Sequence, residues 1–358
     1  MGKNLCVADN QGLLPLCRRE SAGEGDQVIL AKDGGKPGPK FVKEKSVLSG
    51  RFLFFVQMTG VALLVLLVNP AALFAQMIDL MEATGGSRFW ASAASSYQFK
   101  SDATGGGDFS VSRYSLMVGG AAPVDDRIRL GLSVSYDFED YDISNLKGFP
   151  AANPWNEIDR VGLGAGLTYK LSENWGLRFG SIVQYAGERG ADFGDSLMYG
   201  GLVSASYRVS RDFLVGFGAG VFYRLEETRV FPSFLISWKI TDRLRLGNSY
   251  RLGPMGPAGL ELTYTFDKNW QVGAGGGYRS SRFRLDSNGP VPGGIGNNDN
   301  WPVYGRLSRR LWQTVSIDLF GGAAFAGKLR LDDRGGHEIN SVTYNTTPLL
   351  GVSLGGLF

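Results

Sequence analysis

Cysteine is nearly absent from this 358-residue chain: there are two, Cys6 and Cys17, and nothing beyond residue 17 can form a disulfide, a thiol nucleophile or a cysteine metal site. Histidine is scarcer still, with His337 alone, so a histidine-based metal centre is excluded and any acid–base chemistry at an imidazole would have to use that one residue. Charge of one sign is also lacking. Lysine and arginine total 37 against 34 acidic residues, and residues 1–75 hold 9 of the basic and 6 of the acidic ones, leaving 28 of each in the remainder. A neutral balance gives no electrostatic footprint for nucleic acid, which is not expected as a partner. Proline is modest at 14, whereas glycine reaches 52 without a period of three, which excludes collagen and a proline-rich linker protein.

One long apolar run is present, over residues 52–68, interrupted by Gln57 and Thr59 and preceded by Lys40, Lys43, Lys45 and Arg51. Asn69 and Pro70 break it, and Ala75 offers a small residue before Gln76. This is the layout of a cleavable export signal, and its length is at the lower limit for a retained membrane anchor. The expected organisation is a polar, unfolded leader or over-early start over 1–50, a signal peptide over 51–75, a short periplasmic segment over 76–86 and one folded unit over 87–358. No cysteine follows the run, so a lipoprotein is not expected.

From residue 87 onward the dominant signal is alternation with period two, the mark of strands whose two faces meet different surroundings. In residues 127–139, Ile128, Leu130, Leu132, Val134, Tyr136 and Phe138 share one face, and Arg129, Gly131, Ser133, Ser135, Asp137 and Glu139 the other. A soluble sandwich would alternate in the same way, and the connections discriminate better. Very short turns fall at 124–126, 172–174, 210–212, 241–243, 267–269 and near Trp312 and Gln313. Longer connections fall around 100–108, 140–157, 187–195, 252–258, 285–300 and 328–341. Short turns on one side and long loops on the other fit the periplasmic and extracellular ends of an outer-membrane barrel. Trp175, Phe213, Phe266, Trp270 and Trp312 flank the short turns, where an interfacial aromatic girdle belongs.

The last segment places Leu350, Val352, Leu354, Gly356 and Phe358 on one face and ends on an aromatic residue. Here residues 87–358 resemble bacterial outer-membrane β-barrels, and look most like a porin-like domain-of-unknown-function family. The resemblance implies an all-β, transmembrane, antiparallel up-and-down barrel in the cell outer membrane. It implies as partners the outer-membrane lipid and the barrel-assembly machinery, with Phe358 as the assembly signal. Six hairpins plus a strand at each end predict 14 strands within a range of 12 to 16, with both termini periplasmic. Pro232 and the stretch 253–259, with Pro254 and Pro257, are the places where a strand is least expected.

Read in phase, the face opposite the lipid carries Arg129, Arg160, Arg178, Arg208, Arg224, Lys239, Arg245, Arg251, Arg279, Arg306 and Arg310, with Asp137, Glu139, Glu261 and Asp318 as the acids. A charge facing lipid at the midplane costs about 2–4 kcal/mol, which assigns these residues to the lumen. They would either line an open path favouring anions or pair into a network that fills the barrel. Gly162, Gly164 and Gly166, Gly216, Gly218 and Gly220, and Gly273, Gly275 and Gly277 recur on the same face, either leaving room for solute or letting curved strands approach. Their spacing does not match a dinucleotide-binding loop. The acidic stretches 137–142 and 297–300 lack the spacing of a calcium loop and are expected to be solvated loops. No cofactor is expected. The leading expectation is a porin-like passive channel for small hydrophilic solutes of anionic character, not an enzyme. The alternatives are a closed structural or surface-interaction barrel and an outer-membrane hydrolase or acyltransferase using His337 with Asp332 or Asp333.

Overall fold

The computed structural model describes residues 86–248, 252–254 and 258–358. The expected leader and signal peptide, the segment through residue 85, and Arg251 lie outside the described residues. The strands are β1 (Arg88–Asp102), β2 (Asp108–Pro123), β3 (Ile128–Ser144), β4 (Glu157–Lys170) and β5 (Trp175–Glu188). They continue as β6 (Leu197–Ser210), β7 (Phe213–Arg224), β8 (Thr228–Lys239), β9 (Leu244–Gly247) and β10 (Ala258–Thr265). The last five are β11 (Trp270–Arg284), β12 (Ile295–Arg310), β13 (Val315–Asp332), β14 (Glu338–Tyr344) and β15 (Thr347–Leu357).

Each strand runs antiparallel to its neighbour. β15 returns to pair with β1, from Trp90↔Leu357 to Gln98↔Leu349, while it also pairs with β13, so the sheet closes on itself. Fourteen strands make the closed wall, and β14 is an additional strand along the far end of β13. Among the described residues no helix is long and apolar enough to cross a membrane.

The six short turns expected from the sequence are the six connections at one end of the barrel. Their chemistry is local: the Asp125 carboxylate accepts the N–H groups of Arg127 and Ile128, and Asp267 those of Asn269 and Trp270. Ser172 and Thr241 do the same with their hydroxyls. Such side-chain turns close a tight hairpin because they satisfy backbone donors that no strand can reach. Both ends of the closed sheet lie here too, where Phe358 and Phe89 exchange backbone hydrogen bonds of 2.7 and 2.9 Å.

Alternation sets the two faces as expected. On β3, Leu130 and Leu132 are exposed while Arg129 and Gly131 are buried. Outward aromatic and aliphatic residues such as Phe217 and Phe234 stay two-thirds exposed. Pro232 does lie in a strand, facing outward on β8. Its stretch of β8 lies beyond Ser237–Lys239, so among the described residues no ladder with β9 reaches it. The paired inward glycines serve close approach. A Cβ on Gly218 would clash with the Val203 carbonyl, and one on Gly273 would meet the Glu261 carboxylate at 3.0 Å.

At the long-loop end the wall departs from a simple barrel. β11, β12 and β13 are all interrupted at one level. Pairing of β11 with β12 lapses at Gly277 and Tyr278 without a change of register, that of β12–β13 shifts between Asp299 and Trp301, and Ala326 on β13 takes a left-handed φ of 48°. Beyond this level the strands lean across the lumen, and Arg284 of β11 bridges Gly187 of β5. Consecutive residues Ser281, Arg282, Phe283 and Arg284 are all buried, as are Ile295, Gly296, Asn297 and Asn298. A lipid-facing strand buries every second residue only, so these segments are enclosed by protein on both faces. An apolar core fills this end, built from Phe109, Tyr141, Trp155, Phe283, Leu329 and Leu331 among others. The stretches 137–142 and 297–300 are therefore strand residues of β3 and β12, not the solvated loops expected, because the long connections are shorter than the sequence implied.

Candidate channel lumen

The interior is organised in levels along the barrel axis. At the short-turn end lies an open vestibule of about 650 Å³. Its charged lining includes Arg88, Lys239, Arg243, Arg245, Lys268 and Arg310. Among the described residues fewer acids face it, and they are engaged: Asp242 binds Lys239 at 2.7 Å, a bond that also holds the Asp242 carboxyl below the usual carboxylate range. Arg245 donates to the Ser237 hydroxyl at 3.0 Å. Excess positive charge in a concave, partly enclosed space raises the local concentration of anions.

The vestibule ends at Arg306, whose side chain is 1% exposed. Arg306 contacts Glu261 at 3.0 Å and Asp318 at 3.4 Å, and the Tyr304 hydroxyl donates to Glu261 at 2.6 Å. Ser353 of the closing strand donates to Asp318 at 3.1 Å. The glycines of β11 make room for this layer, since a Cβ on Gly275 would strike the Tyr304 ring.

Further along, Glu139 is the hub of a second polar layer and is 1% exposed. Arg279 donates to it at 2.9 Å, and Arg113 and Arg160 stand 3.8 and 3.9 Å away. The hydroxyls of Ser281 and Tyr141 donate to the same carboxylate at 2.9 and 2.8 Å. Asn298 and Asn300 bind the Tyr141 and Tyr344 hydroxyls at 3.2 and 3.1 Å, extending the layer across the barrel. Above it, Arg282 binds Asp332 and Arg284 binds Glu226, each at 2.8 Å, within the long-loop end.

Of the basic residues assigned to the lumen by phase, Arg160, Arg279 and Arg306 enter these two buried layers. Arg224 faces inward and donates to the Ser280 hydroxyl at 2.9 Å. Arg129 and Arg178 are buried, Arg208 is half-buried on the inward phase of β6, and Lys239, Arg245 and Arg310 belong to the vestibule. Glu261 and Asp318 are the acids of the Arg306 layer. Sequence reasoning missed Arg113, Ser281, Arg282, Arg284 and Tyr304. Arg279, Arg282 and Arg284 do not keep one phase, and that departure from period two was the available signal of a strand enclosed on both sides.

His337 lies in the exposed turn between β13 and β14, its Nδ1 3.2 Å from Asp333, which also accepts the His337 backbone N–H at 2.9 Å. That backbone bond leads the effects lowering the Asp333 carboxyl below its ordinary value. The pair closes a turn. Among the described residues no group of three or more His, Cys, Asp or Glu could hold a metal ion.

A family model described as a domain of unknown function, DUF6268, matches residues 126–346. The chain belongs to the DUF6268 family. The matched region starts in the turn before β3 and ends after β14, so it contains Glu139, Arg160, Arg279 and Arg306 and leaves out β1, β2 and β15. A search of the curated proteins found no match. Among solved structures this DUF6268 barrel is similar to the COG4313 outer membrane channel from Pseudomonas putida F1. The identity there is 12% and the TM-score 0.44, covering 81% of this chain and 100% of that one. It is also similar to a Pseudomonas aeruginosa FadL homologue, at 15% identity and TM-score 0.42, covering 76% and 90%. The P. putida toluene transporter TodX aligns at 10% identity and TM-score 0.38, covering 78% and 92%.

Proposed function

We propose that this protein is an outer-membrane channel barrel, exported by its signal peptide, that admits small hydrophilic anions through the vestibule at its short-turn, periplasmic end. The observation that carries the reading is the 650 Å³ vestibule with its surplus of Arg and Lys, set inside a closed barrel whose outward face is apolar. A water-soluble barrel would not leave Leu132, Leu163, Phe217, Phe234 and Val303 each more than half exposed. A lipid-facing wall requires such residues. Trp175, Trp238, Phe266 and Trp312, all exposed near the short turns, fit the interfacial girdle.

The paired Arg306 and Glu139 layers favour a second reading, a barrel whose lumen is closed for good and whose role is structural. Planar-bilayer recording separates the two. A channel gives discrete conductance, with a reversal potential in a salt gradient that marks anions as the permeant species, and changing Arg88, Arg245 and Arg310 together to Gln moves that potential toward zero. Silence of wild type together with silence of Glu139→Ala, in which the inner polar layer is opened, rejects the channel.

A further inference from the structure

We propose that Arg113, Arg160 and Arg279 form a carboxylate-binding site on the solute path, and that Glu139 occupies it as an internal stand-in and so holds the barrel shut. The inference rests on the channel reading above and deepens it, since it names the solute chemistry and the element that opens. Three guanidinium groups from three strands, β2, β4 and β11, converge on a single carboxylate, which also receives the Ser281 and Tyr141 hydroxyls. Asp137, on the same strand as Glu139, also faces Arg160 and Arg279, so three cations and two hydroxyl donors stand against two carboxylates. Among the described residues the Nε atoms of Arg160 and Arg279 are buried with no hydrogen-bond acceptor, and that of Arg113 has nothing nearer than Glu139 at 3.8 Å. Arg113, Arg279, Gln98 and Asn300 border a cavity of about 10 Å³, room for about one water beside two of the three arginines. Planar guanidinium groups match a planar carboxylate, which selects that class over a simple halide.

The same contact joins two parts of the fold. Glu139 belongs to β3 in the regular wall, whereas Arg279 and Ser281 belong to the part of β11 that leans across the lumen, 140 and 142 residues away in sequence. Strands β11, β12 and β13 are interrupted at one level just below, which supplies a line about which their far ends can turn. A carboxylate-bearing solute that takes over the arginines releases β3 from β11, and the hydrated Glu139 no longer ties the leaning segment to the opposite wall.

The test uses the purified mature protein with Glu139→Ala, and sodium acetate against sodium chloride at equal ionic strength. Acetate is expected to raise the thermal midpoint of Glu139→Ala by a few degrees over chloride, and to leave wild type unmoved because its site is filled. In bilayers Glu139→Ala should conduct more than wild type in acetate as in chloride, because acetate in the site makes no bond to β3. A folded variant that responds identically to acetate and chloride overturns the site. Should Glu139→Ala fail to assemble, the near-isosteric Glu139→Gln replaces it in the conductance measurement, and conductance equal to wild type overturns the latch. Acetate-specific stabilisation of a variant that, like wild type, never conducts would reject the channel reading and the latch while leaving the carboxylate site in place.

Discussion

Removing Arg306 tests whether the vestibule floor is an ion-pair layer held by mutual charge. With Glu261 at 3.0 Å and Asp318 at 3.4 Å, and an effective dielectric of about 20, each pair is worth about 5 kcal/mol of Coulomb attraction. Most of this offsets the cost of taking three charges out of water, so the net worth of the assembled layer is small. Breaking it is different. Arg306→Met leaves two carboxylates, themselves 9% and 3% exposed, facing each other without a cation, and the expected loss is about 3–5 kcal/mol. Neutralising all three together, as Arg306→Met with Glu261→Gln and Asp318→Asn, should recover nearly all of that loss, because Gln can still accept the Tyr304 hydroxyl. Urea unfolding of the barrel in lipid vesicles, followed by tryptophan fluorescence, measures both variants against wild type. The single variant should also leak in bilayers, since Arg306 closes the inner end of the vestibule. Wild-type stability in the single variant, or equal instability in the single and triple variants, would refute the argument.

Three further outcomes follow from the wall and the chain ends. Leu132→Arg should block assembly far more than Ser133→Arg, since neighbouring positions on β3 face opposite sides, and heat-modifiable mobility of the outer-membrane fraction reads the difference. Deleting Phe358, whose backbone closes the ladder against Phe89, should lower the amount of assembled barrel while synthesis continues, as pulse labelling with protease challenge would show. N-terminal sequencing of the mature protein should begin at or near Gln76, and a retained 52–68 segment would sink the export signal.

What the sequence determined by itself is whatever depends on near neighbours along the chain. Period-two alternation fixes which side chains share a face, so the phase of β3 and the shared face of Arg160, Arg178 and Arg279 with their strands' small residues are legible in the sequence. Tight turns are set by residues two and three apart, as Asp125, Ser172 and Asp267 show, so the six hairpins and the 14-strand wall were legible as well. The phase of a strand says that a residue points inward and nothing about what stands opposite. Glu139 meets Arg279 across 140 residues of chain, a pairing set by barrel closure and by the inward lean of β11. That lean begins at the level of the irregularities at Gly277, Trp301 and Ala326, each of which reads in sequence as an ordinary strand residue. The choice between arginines that line an open path and arginines paired across a filled interior therefore belonged to the tertiary structure, because ion pairs of this kind depend on distances between strands that local sequence does not encode.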